Sequence, residues 1–364
     1  MKRFLMLAAL SCLAACHKSG PEGAPAGPGG GECRLTARFD APGTKVAGQT
    51  DRNEKAIQNV QVFVFRAGEG EDKGALEMAV SAGFDRPLGQ MAGSYDGLTL
   101  KCSTGYREVW AVVNDAVDHT AGADAVRSKA EFLALAHDLG RASATCLPMV
   151  GHVNPDAENP AILLVEGPMQ VTVPVHRLAA SVVLESVKND FSAPAYRGKD
   201  LFRLDAAYLL NVPGRIDFGE RGDAGALPAE QWYARMAAET EGPRAALLYD
   251  NLGGEILPYG AVHAVSHTFY AYPNACAPST EPVFSPRATL LVLEASIRCG
   301  DGWTRYYYPV ALDGGLQANK RYRVNLTVHR PGSTDPNIPV AFSDVTPVIS
   351  VSDWDGGVTY NPEI

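Results

Sequence analysis

Residues 320–330 read KRYRVNLTVHR, and apolar and polar side chains alternate through them without a break. Tyr322, Val324, Leu326 and Val328 fall on one side of an extended chain, and Arg321, Arg323, Asn325, Thr327 and His329 on the other. Successive strand residues point to opposite faces, so the segment predicts a strand with one buried face and one wet face. A slip of one residue would turn the whole apolar set to water, so the register of such a strand is strongly specified.

The same period appears elsewhere. After Cys33, the residues Leu35, Ala37 and Phe39 alternate with polar neighbours. NVQVFVFRA from Asn59 and REVWAVVND from Arg107 are apolar on both faces, which predicts central, doubly covered strands. VTVPVHRLAASVVLESV from Val171 is strand-like, with Pro174 breaking or bulging it. HTFYAYPN, RATLLVLEASI, RYYYPVAL and PVISVSDWDGG add further strands, and GEGEDKG near Gly68 reads as a hairpin turn. Helix signals are few. DAVRSKAEFLALAHDL (124–139) carries Ser128 and Glu131 at capping-box spacing, and PAEQWYARMAAE starts with Pro228. The expectation is an all-β chain of two β-sandwich domains, divided near Pro174, with a few short helices in connections.

The N-terminus reads as an export signal over residues 1–15. Lys2 and Arg3 precede a short apolar run, Phe4 to Leu13, well below the ~20 residues that span a bilayer. Leu13-Ala14-Ala15-Cys16 then forms a bacterial lipobox, which makes Cys16 the lipidation site. Residues 19–31, SGPEGAPAGPGGG, form a flexible tether with no core-forming side chain. The net charge of −9 excludes a nucleic-acid partner, because phosphate binding needs a surplus of Lys and Arg.

Motifs of catalysis are missing: no G-x-S-x-G, P-loop or H-E-x-x-H occurs. His263 and His267 stand four apart, but in a strand-like region without a third ligand nearby; Ser352 to Gly357 lacks the acidic spacing of a calcium loop. Arg221-Gly222-Asp223 and Asn325-Leu326-Thr327 read as chance triplets. The expectation is a protein that is not an enzyme and takes no metal or cofactor.

Several of these segments together resemble the fimbrillin family, the major pilus subunits of Bacteroidales. FYAYPN, RATLLVLEASI, YYYPVAL, NKRYRVNLTVHRPGSTDPNIPV and VISVSDW resemble that family's C-terminal region in order and spacing. GTKVAG, NVQVFVF, KCSTGYREVWAVVND and HRLAASVVLESV resemble its N-terminal half. The resemblance implies two transthyretin-like β-sandwiches, 46–174 and 175–364, and export as an outer-membrane lipoprotein precursor. It implies that a trypsin-like protease removes residues 16–45, tether and N-terminal strand together, and that subunits polymerise into a cell-surface fimbrium by donor-strand exchange. Its partners would be other pilin subunits.

The family's cleavage segment corresponds to residues 41–48, where this chain has Lys45 in place of the usual Arg, with Arg38 and Arg52 as flanking alternatives. Of the seven cysteines, Cys12 leaves with the signal. Cleavage at Lys45 would remove Cys16 and Cys33, leaving Cys102, Cys146, Cys276 and Cys299, two per domain. That implies bonds Cys102–Cys146 and Cys276–Cys299, against the alternative of free buried thiols. The donor strand is expected within 338–354, with Val345, Ile349 and Val351 as groove-filling residues. Two other roles stay open: an unprocessed anchor or accessory subunit, and a non-fimbrial surface lipoprotein that binds glycan or host. A clustered aromatic platform among Trp232, Trp303 and Tyr306 to Tyr308 would favour the last.

Overall fold

A computed structural model describes residues 31–40, 54, 56–89, 94–157, 159–219, 224–235, 247–312, 314–338 and 344–354. Strands dominate. In chain order they are β1 (Glu32–Asp40), β2 (Val60–Arg66), β3 (Leu76–Ala82), β4 (Ser94–Ser103), β5 (Gly105–Val113), β6 (Ala136–Asp138), β7 (Met149–His152), β8 (Ile162–Leu164), β9 (Gly167–Pro174), β10 (His176–Arg177) and β11 (Ala180–Asn189). They continue as β12 (Phe202–Leu210), β13 (Val212–Pro213), β14 (Arg215–Asp217), β15 (Trp232–Tyr233), β16 (Tyr249–Ile256), β17 (Val262–His263), β18 (His267–Ala271), β19 (Leu290–Cys299), β20 (Gly302–Ala311), β21 (Lys320–Val328) and β22 (Val345–Asp353). The all-β expectation holds.

In the first half, a sheet ordered β4-β1-β9 shares an apolar core with a sheet ordered β10-β7-β5-β2-β3, to which β8 adds on β5. Val60, Val62 and Val64 of β2 enter that core, while Phe63 and Phe65 point the other way, onto Phe132 at 4.9 and 5.6 Å between ring centres. The expected two-faced burial of β2 follows from this. Gly151 marks where the chain crosses closest: a Cβ there would lie 1.9 Å from the Pro174 carbonyl oxygen.

In the second half, β17-β11-β21-β22, with β18 also on β11, shares a core with β16-β12-β19-β20. The halves are not insulated. The second core continues into Phe63, Phe65, Val112 and Phe132, and the β6–β14 ladder pairs His137 with Ile216 across the two halves. The chain passes from one half to the other between β10, still paired with β7, and β11.

Two helix expectations need correction. The helix expected over 124–139 is only Lys129–Ala134; Ser128 caps it by accepting from the Glu131 N–H. Its C-terminal continuation is drawn out into β6 by β14. PAEQWY forms one 3-10 turn, Ala229–Gln231, before Trp232 and Tyr233 pair with β13. The wet face expected for β21 is also only partly wet. Tyr322, Val324, Leu326 and Val328 are buried as expected, but so is Arg321, because Trp354 and Glu54 cover its guanidinium, while Arg323, Asn325 and Thr327 stay half-buried.

Candidate functional site

The N-terminal strand occupies the centre of its sheet. β1 runs antiparallel to β4 from Glu32↔Ser103 to Asp40↔Ser94, with an irregularity at Ala37/Arg38, and parallel to β9 from Cys33↔Gly167 to Asp40↔Pro174. Cys33, Leu35, Ala37 and Phe39 are fully buried; Arg34 is exposed, and Thr36 and Arg38 half-buried, on the other side. Phe39 stacks on Tyr95 at 6.2 Å. Withdrawing β1 would strip both neighbours of their ladder and open a groove floored by Val62, Val64, Val109 and Ala111. Such a groove demands another strand, since buried apolar area and unpaired backbone groups would both face water.

One end of the groove is clasped between the sheets. Glu77 of β3 accepts from the Ser103 N–H at 2.5 Å and pairs with Arg107 Nε at 2.5 Å, while Arg107 Nη2 donates to Ser103 Oγ at 2.5 Å. At this end Cys33 stands directly opposite Cys102. Burial, reinforced by Glu77, raises the pKa of both thiols; Cys102 is pushed up to about 12.

Cys16, Lys45, Arg52 and Arg221-Gly222-Asp223 lie outside the described residues. Arg38 lies within β1, paired on both edges, so cutting there first requires unseating the strand. The expected pairs Cys102–Cys146 and Cys276–Cys299 are not brought together as disulfides. Cys102 precedes the start of β5, whereas Cys146 Sγ sits 3.9 Å from the Asn114 carbonyl just past its end. Nine strand residues separate those positions by roughly 30 Å at ~3.3 Å per residue. Cys276 neighbours the chain around Ala288, at the start of β19, and Cys299 ends that strand. Counting two cysteines per domain carries no information about which ends of the strands they occupy.

Val345, Ile349 and Val351 lie in β22, which pairs in full register with β21 as the edge of its own sheet. Val345 is buried, and the other two pack against the second core. β22 ends in a charged knot that the sequence did not signal. The Trp354 ring lies between Arg177 (4.9 Å) and Arg321 (5.4 Å) and stacks on Tyr270 at 5.6 Å. Trp354 Nε1 and Arg321 Nη2 donate to Glu54 Oε2 at 2.8 and 2.5 Å, Tyr270 donates to Oε1 at 2.6 Å, and Arg177 donates to the Glu54 carbonyl.

His263 and His267 meet edge to edge, Nε2 to Nε2 at 3.0 Å, with Glu255 and Asp250 on the outer ring nitrogens. The aromatic residues form no platform: Trp232 and Tyr308 are buried, and Trp303 lies exposed under Arg203. Among the described residues no helix is long and apolar enough to cross a membrane.

With this geometry in hand, residues 36–162 match the family model of the major fimbrial subunit protein, FimA. That span starts inside β1 and ends at the first residue of β8. No curated protein matches the sequence. Among solved structures, a candidate cell adhesion protein from Bacteroides eggerthii has a TM-score of 0.61 at 19% identity, covering 90% of this chain and 98% of that one. Another from Parabacteroides distasonis scores 0.60 at 17% identity, covering 89% and 99%. A fimbrillin from Porphyromonas gingivalis scores 0.57 at 15% identity, covering 88% and 97%. At these identities the likeness is one of fold. The resemblance to the fimbrillin family read from the sequence is borne out.

Proposed function

We propose that this chain is a fimbrial subunit, exported as a lipoprotein precursor and polymerised by donor-strand exchange. Acylation at Cys16 holds the precursor on the outer membrane. Cleavage after Lys45 detaches β1 together with the tether. A strand of the next subunit then enters the groove between β4 and β9. Donor and groove are different surfaces, so the contact repeats head to tail and builds an open filament rather than a ring.

The observation that carries this reading is the placement of β1. A strand between two others, with four fully buried side chains, leaves a complete acceptor site when it goes. The FimA family match, which takes in the second half of β1 and all of β4, supports the same role. The donor assigned here is β22. It is an edge strand, so only one ladder must open to release it, and Val345, Ile349 and Val351 would be the residues inserted.

A second reading, an anchor subunit that keeps its N-terminal strand, is favoured by Lys45 standing where the family carries Arg. N-terminal sequencing of surface-shed protein separates the two. An N-terminus at Val46 supports the polymerising subunit. Acylated Cys16 as the sole N-terminus refutes it in favour of the anchor. Polymerisation that survives deletion of residues 345–364 would remove β22 as donor.

A further inference from the structure

We propose that Cys33 and Cys102 form a cross-strand disulfide that pins the removable strand β1 to the wall of its groove. The inference rests on the exported, processed-precursor reading above, but the bond itself is detectable whether or not processing occurs.

Register carries the argument. Cys33 and Cys102 are Cα partners in the β1–β4 ladder, so their side chains leave the sheet on the same face, and both are buried in the same core. Two residues along, the Thr104 N–H donates to the Gly31 carbonyl at 3.2 Å. Hydrogen-bonded pairs recur every second position, which puts Cys33 and Cys102 at such a pair, with Cα atoms about 5.5 Å apart. That falls inside the ~4.4–6.8 Å range of disulfides. Directly opposite Cβ atoms lie ~4.5–5.5 Å apart in a ladder, against ~3.5–4.5 Å in a disulfide, so the strands close by about 1 Å on bonding.

Both thiols are oxidised by thiol–disulfide exchange with an oxidised dithiol oxidoreductase of the extracytoplasmic compartment. One cysteine thiolate attacks the donor's disulfide and expels one donor thiolate. The second cysteine then displaces the other, forming the Cys33–Cys102 bond. The two electrons end on the donor, now a dithiol, and the two protons pass to its sulfurs. Burial and raised thiol pKa values disfavour attack in the folded state, so exchange takes place while the chain is folding.

The consequence bears on anchoring. Lys45 follows the end of β1, so in chain order it lies between Cys33 and the body of the subunit. A cut there in the oxidised protein breaks the main chain but leaves residues 16–45, with the lipid on Cys16, covalently attached through Cys102. The groove stays filled and the subunit stays on the membrane until a dithiol reduces the clip. Oxidation therefore decides whether processing releases the strand.

The test uses full-length protein exported through an oxidising periplasm, alkylated before lysis and mapped without reductant. A Cys33–Cys102 linked peptide, lighter by two hydrogens than the two free peptides, supports the proposal; alkylation of both thiols overturns it. Limited trypsin treatment follows. The expected result is that the N-terminal fragment stays with the body on a non-reducing gel and is lost on adding dithiothreitol. Fragment release without reductant overturns the clip. Cys33→Ala/Cys102→Ala, which keeps small apolar groups at both sites, should lose the reductant requirement. If the linked peptide is present but trypsin never cuts near Lys45, the processing reading fails and the disulfide stands.

Discussion

Replacing Glu54 with Gln isolates the charge that ties the segment following the expected cut to the end of β22. The substitution keeps the shape of the side chain and an oxygen that Tyr270 or Trp354 can still reach. It removes the anion 2.5 Å from Arg321, whose side chain is 3% exposed, while Glu54 itself is 10% exposed. Removing one partner of a buried pair leaves the other charge uncompensated, at a cost of about 3–5 kcal/mol. At ~2 °C per kcal/mol for a chain longer than 150 residues, the melting temperature should fall by about 6–10 °C. Arg321→Met should also destabilise, but the double variant should lose less than the two singles combined, with a coupling of ~1–3 kcal/mol. Urea unfolding of the four proteins measures this cycle. Hydrogen exchange gives the local readout: Glu54→Gln should accelerate exchange across Val345–Asp353, because a single amide oxygen replaces the carboxylate that joins Trp354, Tyr270 and Arg321. Additive single effects, or an E54Q protein within ~0.5 kcal/mol of the parent, would refute the reasoning that this carboxylate holds β22.

Other perturbations test separate parts of the fold. Gly151→Ala should sharply lower stability, measured by thermal melting, because its Cβ would meet the Pro174 carbonyl oxygen at 1.9 Å, and that main-chain atom cannot swing aside as a side chain could. Phe39→Ala, at a fully buried site against Tyr95, should cost about 3–5 kcal/mol in denaturant titration. For His119, burial opposes the charged form, but the hydrogen bond and charge of Asp115, 3.1 Å away, outweigh it and raise the pKa. Its stabilisation is therefore full below about pH 6.5 and lost as pH rises through the folded value. His137 is shifted the other way by burial, so its contribution is full above about pH 6.5 and lost as pH falls towards the lower folded value. Urea titrations between about pH 5 and 8 should show His119→Gln flattening the alkaline decline and His137→Gln the acid one.

What the sequence made legible was local. Alternation in 33–39 and 320–329 placed the inward side chains of β1 and β21 correctly, because a period of two fixes which face a residue takes. Partners are not local. β1 pairs with β4, more than fifty positions on, and with β9, well beyond that, and nothing within ECRLTARFD says that both edges are occupied. The wet face assigned to β21 failed at Arg321 for the same reason: its partner Glu54 stands 267 positions away. The helix at 129–134 stops early because Ala136–Asp138 find a ladder on β14, a gain that local propensity does not count. Cysteine counting failed most instructively. It grouped thiols by domain, whereas bonding depends on register, and register set Cys102 opposite the one body cysteine that processing would discard. The strand that would have to leave for assembly thus carries the residue suited to retain it. On the proposed reading two independent controls would act on one element: cleavage near Lys45 would decide whether β1 is severed, and the opposed thiols Cys33 and Cys102 whether, once severed, it could go.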